Sequence, residues 1–193
     1  MQPLTNTVFL VRHGRTALNA AGALRGRVDV PLDAVGRAEA AGLGELFAGT
    51  VLDFVATSPL QRARDTAAPM ALRTGARLRV EPRLVDRDYG PWNGRSAADL
   101  HARFGSIAAA PGVEAEAAFH RRVLAAFEAL TAAAGGPIVI VAHEAVNRAL
   151  LGRIVSQGAT ARQRPGCWNR LERGPDAWSA PVLDALPGDG RSP

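Results

Sequence analysis

The first apolar run, Val8-Phe9-Leu10-Val11, stops abruptly at Arg12-His13-Gly14. Four apolar residues closed by polar ones and a glycine predict a buried strand entering a loop. A polar loop follows to about Asp33, punctuated by Gly22, Gly26 and Pro31. From there to about Ala48, residues Ala38, Leu43, Leu46 and Phe47 supply an apolar helical face, and Gly49 ends the helix. Asp53–Thr57 reads as a second strand. Ser58-Pro59 then reads as a helix start, with serine as cap and proline at the first position, and the helix runs to about Thr74 with Leu60, Ala63, Ala67 and Met70 inward. Leu78–Val80 is a short third strand and Leu84–Gly94 an ordered loop. A short helix spans Ala97–Phe104. Phe119, Val123, Phe127 and Leu130 recur at helical spacing in the longest helix, Glu114–Ala133. Pro137–Ala142 is the strongest strand, apolar throughout and so buried on both faces. A helix over Glu144–Val155 follows, then two short strands around Trp168–Leu171 and Ala177–Leu183. Residues from Pro187 on read as frayed.

This alternation predicts an α/β fold: a three-layer sandwich, with a mostly parallel sheet and helices on both faces. The 193 residues suit one domain, 1–193, with its core over about 8–185. No apolar run approaches the roughly 20 residues a membrane span needs. The N-terminal stretch Met1–Thr7 lacks the pattern of a signal peptide. A single cysteine, Cys167, rules out an internal disulfide and fits a reducing cytoplasm. The net charge of +5 comes with 23 arginines and no lysine, beside 38 alanines, the mark of GC-rich coding rather than of a basic surface. A nucleic-acid face needs clustered arginines with aromatics between them; here the arginines are scattered and aromatics are 5%. The expected partners exclude nucleic acid and membrane. Trp168, Trp178 and the tail strands offer either a homodimer edge or a cover for the core.

In such sheets ligands bind beyond the carboxyl ends of the strands. Arg12-His13-Gly14 follows the first strand, Ser58-Pro59 the second and His143 the strongest, so three polar features converge on one edge. His101 and His120, on helical stretches, read as ordinary structural residues. His13 and His143 occupy equivalent strand ends, and no third histidine or nearby carboxylate completes a metal-ligand spacing. No metal and no cofactor is expected. Arg12 and Arg62 should reach the same place, where guanidinium forks and the amides of the Ser58 helix match phosphate oxygens. Neighbouring guanidinium groups also keep His13 neutral and nucleophilic. The combination reads as phosphoryl transfer through a phosphohistidine.

Arg12-His13-Gly14-Arg15-Thr16 with Asn19 resembles the R-H-G-x-[ST]-x-x-N signature of the histidine phosphatase superfamily, phosphoglycerate-mutase-like branch. Ser58–Ala67 resembles its S-P-L-x-R-A-x-x-T-A block, Leu84–Gly94 its L-x-E-x-x-[FY]-G-x-W-x-G block, and Val141-Ala142-His143 its final block. The resemblance implies that His13 is the nucleophile and that Arg12, Arg62 and His143 form the phosphate pocket, with Asn19 at its rim. Asp86 then stands for the general acid, one methylene shorter than the usual glutamate. Arg25-Gly26 matches a substrate-contacting loop, although Arg25 also reads as a surface charge. Asp88 reads as a turn carboxylate. Glu144 stands where many members carry glycine, and its carboxylate is expected to point away.

Asp86 and His143 lie 57 residues apart, without the longer insertion of family mutases. The expected activity is therefore metal-independent hydrolysis of a small phosphorylated metabolite. A phosphoglycerate-type phosphomutase and a catalytically silent phosphate binder are the alternatives. Specificity is expected in Ala20–Pro31, Tyr89–Trp92 and Gly105–Glu114.

Overall fold

Alternate residues of the first strand pack on opposite sides of one sheet, which builds the layers. In β1 (Thr7–Arg12), Val8 and Leu10 join one apolar cluster and Phe9 and Val11 the other. The computed structural model describes residues 7–155 and 161–193; the N-terminal stretch read for a leader lies, except for Thr7, outside the described residues. After β1 come α1 (Ala17–Ala20), α2 (Ala34–Leu46), β2 (Phe54–Thr57), α3 (Gln61–Thr74) and β3 (Arg77–Val80). The chain continues through α4 (Ala97–Phe104), α5 (Glu116–Ala132), β4 (Ile138–Ala142), α6 (Glu144–Ile154), β5 (Trp168–Arg173) and β6 (Trp178–Ala185).

The strand order is β3-β2-β4-β1-β5-β6. The β3, β2, β4 and β1 ladders are parallel, while β5 and β6 are antiparallel additions. On one face Phe54, Ile138 and Ile140 pack with Phe119, Val123 and Phe127 of α5 and Leu150 of α6. On the other, Val55, Val139 and Val141 pack with Leu43, Ala63 and Met70 of α2 and α3. Each fully buried residue of this size adds roughly 1.5–3 kcal/mol. The expected three-layer α/β sandwich is what the chain adopts. Among the described residues no helix is long and apolar enough to cross a membrane.

Several local expectations need correction. The polar loop after His13 holds a helical turn, α1, and the loop around the acid block holds 3-10 turns at Pro82–Leu84 and Gly90–Trp92. Helix α3 starts at Gln61, not at Ser58-Pro59, because Leu60 is extended and no side chain caps the helix. Asp29 Oδ1 accepts the Gln61 amide at 2.7 Å, so that first amide faces a loop carboxylate instead of a ligand. Trp168 covers the core: it is buried against Phe9 and Phe47, and β6 is the edge strand. Beyond β6, the Leu186 and Asp189 amides close a turn through Asp189 Oδ2 and the Leu186 carbonyl.

Beyond β1 the backbone makes a close approach that only glycine permits. A Cβ on Gly14 would lie 2.5 Å from the Gly36 carbonyl oxygen. This lets the start of α2, capped by Asp33 (Gly36 N to Oδ1, 2.8 Å), press against the His13 loop.

Candidate active site

His13, Arg62, Asp86 and His143 come from the ends of β1, α3, the acid loop and β4, and all are buried, with 0%, 0%, 2% and 0% exposure. Strand pairing sets two of them side by side: Arg12 is in register with Ala142, and the His13 amide donates to the Ala142 carbonyl at 3.0 Å. The His13 and His143 rings are consequently 5.1 Å apart.

His13 Nδ1 is 2.7 Å from the Gly14 carbonyl, and Arg62 Nε donates to Nε2 at 3.2 Å. A carbonyl only accepts, so Nδ1 carries the proton and Nε2 the lone pair. Burial pushes the His13 pKa well below its usual range, and the Arg62 and Arg12 charges push it further. The ring is thus neutral at neutral pH, with its lone pair on Nε2. His143 is lowered too, by burial and then by Arg62. Its Nε2 lies 2.7 Å from Ser58 Oγ, which already accepts the Leu60 amide at 3.3 Å. A Ser58 hydroxyl that donates to Nε2 leaves the ring proton on Nδ1.

Arg62 holds the centre together. It donates to the Gly26 and Val28 carbonyls at 2.8 Å each and to Asp86 Oδ2 at 3.2 Å. Gly26 has φ +48°, and a Cβ there would meet Asn93 Oδ1 at 1.9 Å, so glycine lets this carbonyl reach Arg62. Asp86 Oδ2 is also 3.9 Å from His143 Nδ1. Burial raises the Asp86 pKa, outweighing the opposing arginines, which suits a carboxyl that must carry a proton. Arg122 fixes the backbone behind it, donating to the carbonyls of Arg83, Val85 and Asp86 at 2.7, 2.7 and 3.0 Å.

Buried polar atoms in a folded protein nearly always find a partner. Among the described residues, Arg12 Nε, Arg25 Nε and His143 Nδ1 are buried without one. The Arg12 and Arg25 charges both act on His13 and His143, so two of these three nitrogens belong to cations of the same centre. His143 is also the uncapped N-cap of α6, whose dipole favours negative charge. No group of three or more His, Cys, Asp or Glu among the described residues is placed to hold a metal ion.

Residues 8–184 match the family model of the histidine phosphatase superfamily (branch 1). The chain belongs to the histidine phosphatase superfamily. It is similar to the adenosylcobalamin/alpha-ribazole phosphatase of Salmonella typhimurium, 31% identical over 180 residues, 86% of this chain and 89% of the relative. It also resembles the glucosyl-3-phosphoglycerate phosphatase of Mycobacterium tuberculosis (strain ATCC 25618 / H37Rv), 33% identical over 95 residues, 49% of this chain but only 43% of that relative. The chain therefore matches less than half the length of that enzyme. Among solved structures, the mycobacterial glucosyl-3-phosphoglycerate phosphatase in complex with VO3 superposes with a TM-score of 0.83 at 26% identity, covering 94% of this chain and all of that one (100%). The alpha-ribazole phosphatase from Shigella flexneri gives 0.81 at 28% identity, covering 93% and 96%.

Within this superfamily member the remaining candidates separate. Asn19 Oδ1 accepts from the Thr16 amide and hydroxyl at 3.0 and 2.8 Å in a capping box for α1. Arg25 is no surface charge; its side chain is 16% exposed and approaches Glu144 Oε2 at 3.5 Å. Asp88 is the turn carboxylate the sequence suggested, accepting the Gly90 amide at 2.8 Å and facing Arg27 at 3.4 Å. Glu144 overturns its expectation. Its carboxylate points towards the arginines instead, 3.0 Å from Arg12 Nη1 and 3.5 Å from Arg25 Nη2, drawn by their charges. The three segments expected to set specificity do converge: Leu24 and Ala110 join Tyr89, Trp92, Ile107 and Val113 in a third apolar cluster.

Sequence reasoning missed the groups behind Arg12. Arg12 Nη1 donates to the Gln163 carbonyl, whose side chain is locked to Asn147 and Asn169 by bonds of 2.9–3.0 Å. Asn147, one helical turn after His143, was the available signal.

Proposed function

We propose that this chain is a metal-independent phosphomonoesterase that works through a phosphohistidine on a small phosphorylated metabolite. The observation that carries this is the protonation of His13: Nδ1–H is held by the Gly14 carbonyl and Nε2 is left as the lone-pair atom, beside Arg12, Arg62 and a buried Asp86. A phosphate seated on Arg12, Arg62 and His143 diverts Arg62 Nε from the ring and exposes Nε2 to phosphorus. The Nε2–P bond forms as the ester P–O bond breaks, and the leaving alkoxide takes the Asp86 proton. Asp86, now a carboxylate, takes a proton from water; the resulting oxygen attacks phosphorus, the P–N bond breaks, and inorganic phosphate leaves. Positioned donors stabilise charge at each stage, the largest contribution in most such sites. Arg25 and the Gly26 loop stand at the mouth; Asn19 supports the loop.

Only α4, a 3-10 turn and α5 separate the acid loop from β4, which leaves no added segment to retain a bisphosphate and favours hydrolysis over mutase chemistry. One continuous sheet supports a single domain, and the buried thiol of Cys167 fits a reducing, cytoplasmic setting.

The test is incubation with 32P-labelled p-nitrophenyl phosphate and rapid quenching. Label that is stable in base, labile in acid, carried by His13 and absent from His13→Ala supports the reading, as does turnover that survives a chelator. Label on another residue, or activity that a chelator removes and a divalent ion restores, refutes it.

A further inference from the structure

We propose that Glu144 is a specificity-determining residue, an internal carboxylate that occupies the arginines beside the phosphate site and restricts the enzyme to phosphate esters of neutral alcohols. This rests on the phosphatase reading above and names its substrate class.

Glu144 is the first residue of α6, immediately after His143. Its Oε2 lies 3.0 Å from Arg12 Nη1 and 3.5 Å from Arg25 Nη2, and its Oε1 lies 3.6 Å from Arg148 Nη1 one helical turn on. A glutamate at a helix start complements the helix dipole from any orientation. That role does not explain why this one turns inward to bridge two largely buried arginines.

Outside the buried centre is a cavity of about 290 Å³ whose walls include Ala23, Leu24, Arg25, Tyr89, Glu144 and Arg148. Arg25 belongs both to this cavity and to the charges acting on His13, and Glu144 belongs to it and touches Arg12. An ester with its phosphorus at His13 therefore lays its leaving group against Glu144. Arg25 and Arg148 alone would make this an anion subsite, fit for a carboxylate or second phosphate. Glu144 already fills that role. A tethered carboxylate acts at an effective concentration that a free substrate group cannot match. It also repels a second negative charge brought within a few ångströms of it. A hydroxyl escapes both penalties: it can accept from the arginines and donate to Glu144. Burial raises the Tyr89 pKa, so its phenol remains a neutral neighbour.

Glycerol 3-phosphate and 3-phosphoglycerate are a matched pair, differing only by a hydroxymethyl in place of a carboxylate. Each is measured as a competitor of p-nitrophenyl phosphate at fixed low ionic strength, in the wild type, Glu144→Gln and Glu144→Ala, with thermal melts to verify folding. The wild type should bind glycerol 3-phosphate at least about tenfold better, and both variants should shrink that ratio about tenfold, chiefly by gaining affinity for 3-phosphoglycerate. A wild type that prefers 3-phosphoglycerate, or a ratio that neither variant moves, overturns the assignment of Glu144 while turnover and His13 labelling leave the phosphatase reading intact. Absence of both turnover and label overturns the phosphatase reading and this inference with it.

Discussion

Replacing Asp86 with asparagine removes one proton and keeps nearly the same shape. Arg62 retains its bonds to the Gly26 and Val28 carbonyls, so the site stays assembled. Asp86 is 2% exposed, held in the centre by Arg62. General acid catalysis is typically worth about 10²–10⁴-fold, or about 3–5.5 kcal/mol of barrier at 1.36 kcal/mol per factor of ten. For an alkyl ester, we expect a loss of about a thousandfold in the phosphorylation step. For p-nitrophenyl phosphate, whose anion departs unaided, the same step should lose less than about tenfold. Rapid-quench measurement of the first turnover isolates it from dephosphorylation, the step in which the proposed mechanism uses Asp86 a second time. The pH profile adds a sign. Asp86 donates only when protonated, so wild-type phosphorylation by alkyl esters falls as pH rises through its raised pKa, and the asparagine variant lacks that limb. Equal first-step losses on both substrates would remove Asp86 from the acid role.

Arg62→Met strands the Gly26 and Val28 carbonyls and leaves Asp86 without its partner; breaking a buried pair costs about 3–5 kcal/mol. At roughly 2–4 °C per kcal/mol for a chain this size, Tm should fall by roughly 6–20 °C, and a drop under about 3 °C would show that these bonds carry little. His13 and His143 make stability acid-sensitive. Both folded pKa values are depressed, so the unfolded chain takes up protons first; stability is fully present above the ordinary histidine pKa of about 6.5 and is lost as pH falls towards the folded values. Each contributes a slope of up to about 1.4 kcal/mol per pH unit below about pH 6.5, and His143→Asn should remove its share in denaturant titrations at pH 7 and 5.5. An unchanged difference between those two pH values would contradict the burial argument.

Much of the fold was legible because hydrophobic period and burial agree there. The unbroken run Ile138–Ala142 has to lie between two layers, and it does, fully buried beside β1 and β2. The spacing of Phe119, Val123, Phe127 and Leu130 gave α5 for the same reason. The start of α3 was misread because Ser58-Pro59 carries the local signature of a cap, while the serine is bound to a histidine 85 positions away. Glu144 was misread likewise: its neighbours in sequence say nothing of Arg12 and Arg25, which reach it through the sheet and the loop after it.

Asp86 and Asp88 show where local reading ends altogether. They are the same residue two positions apart in one loop, and either could serve as an acid by composition. Arg122 clamps the carbonyls on either side of Asp86, and Arg62 draws its carboxylate into the centre. Asp88 instead closes the turn at Gly90 and meets Arg27, with its side chain 33% exposed. Desolvation follows for Asp86 alone: burial pushes its carboxyl towards the protonated form, against the pull of Arg62. The placing of Asp86 is therefore set by two distant arginines, and moving either should shift its carboxylate out of the centre.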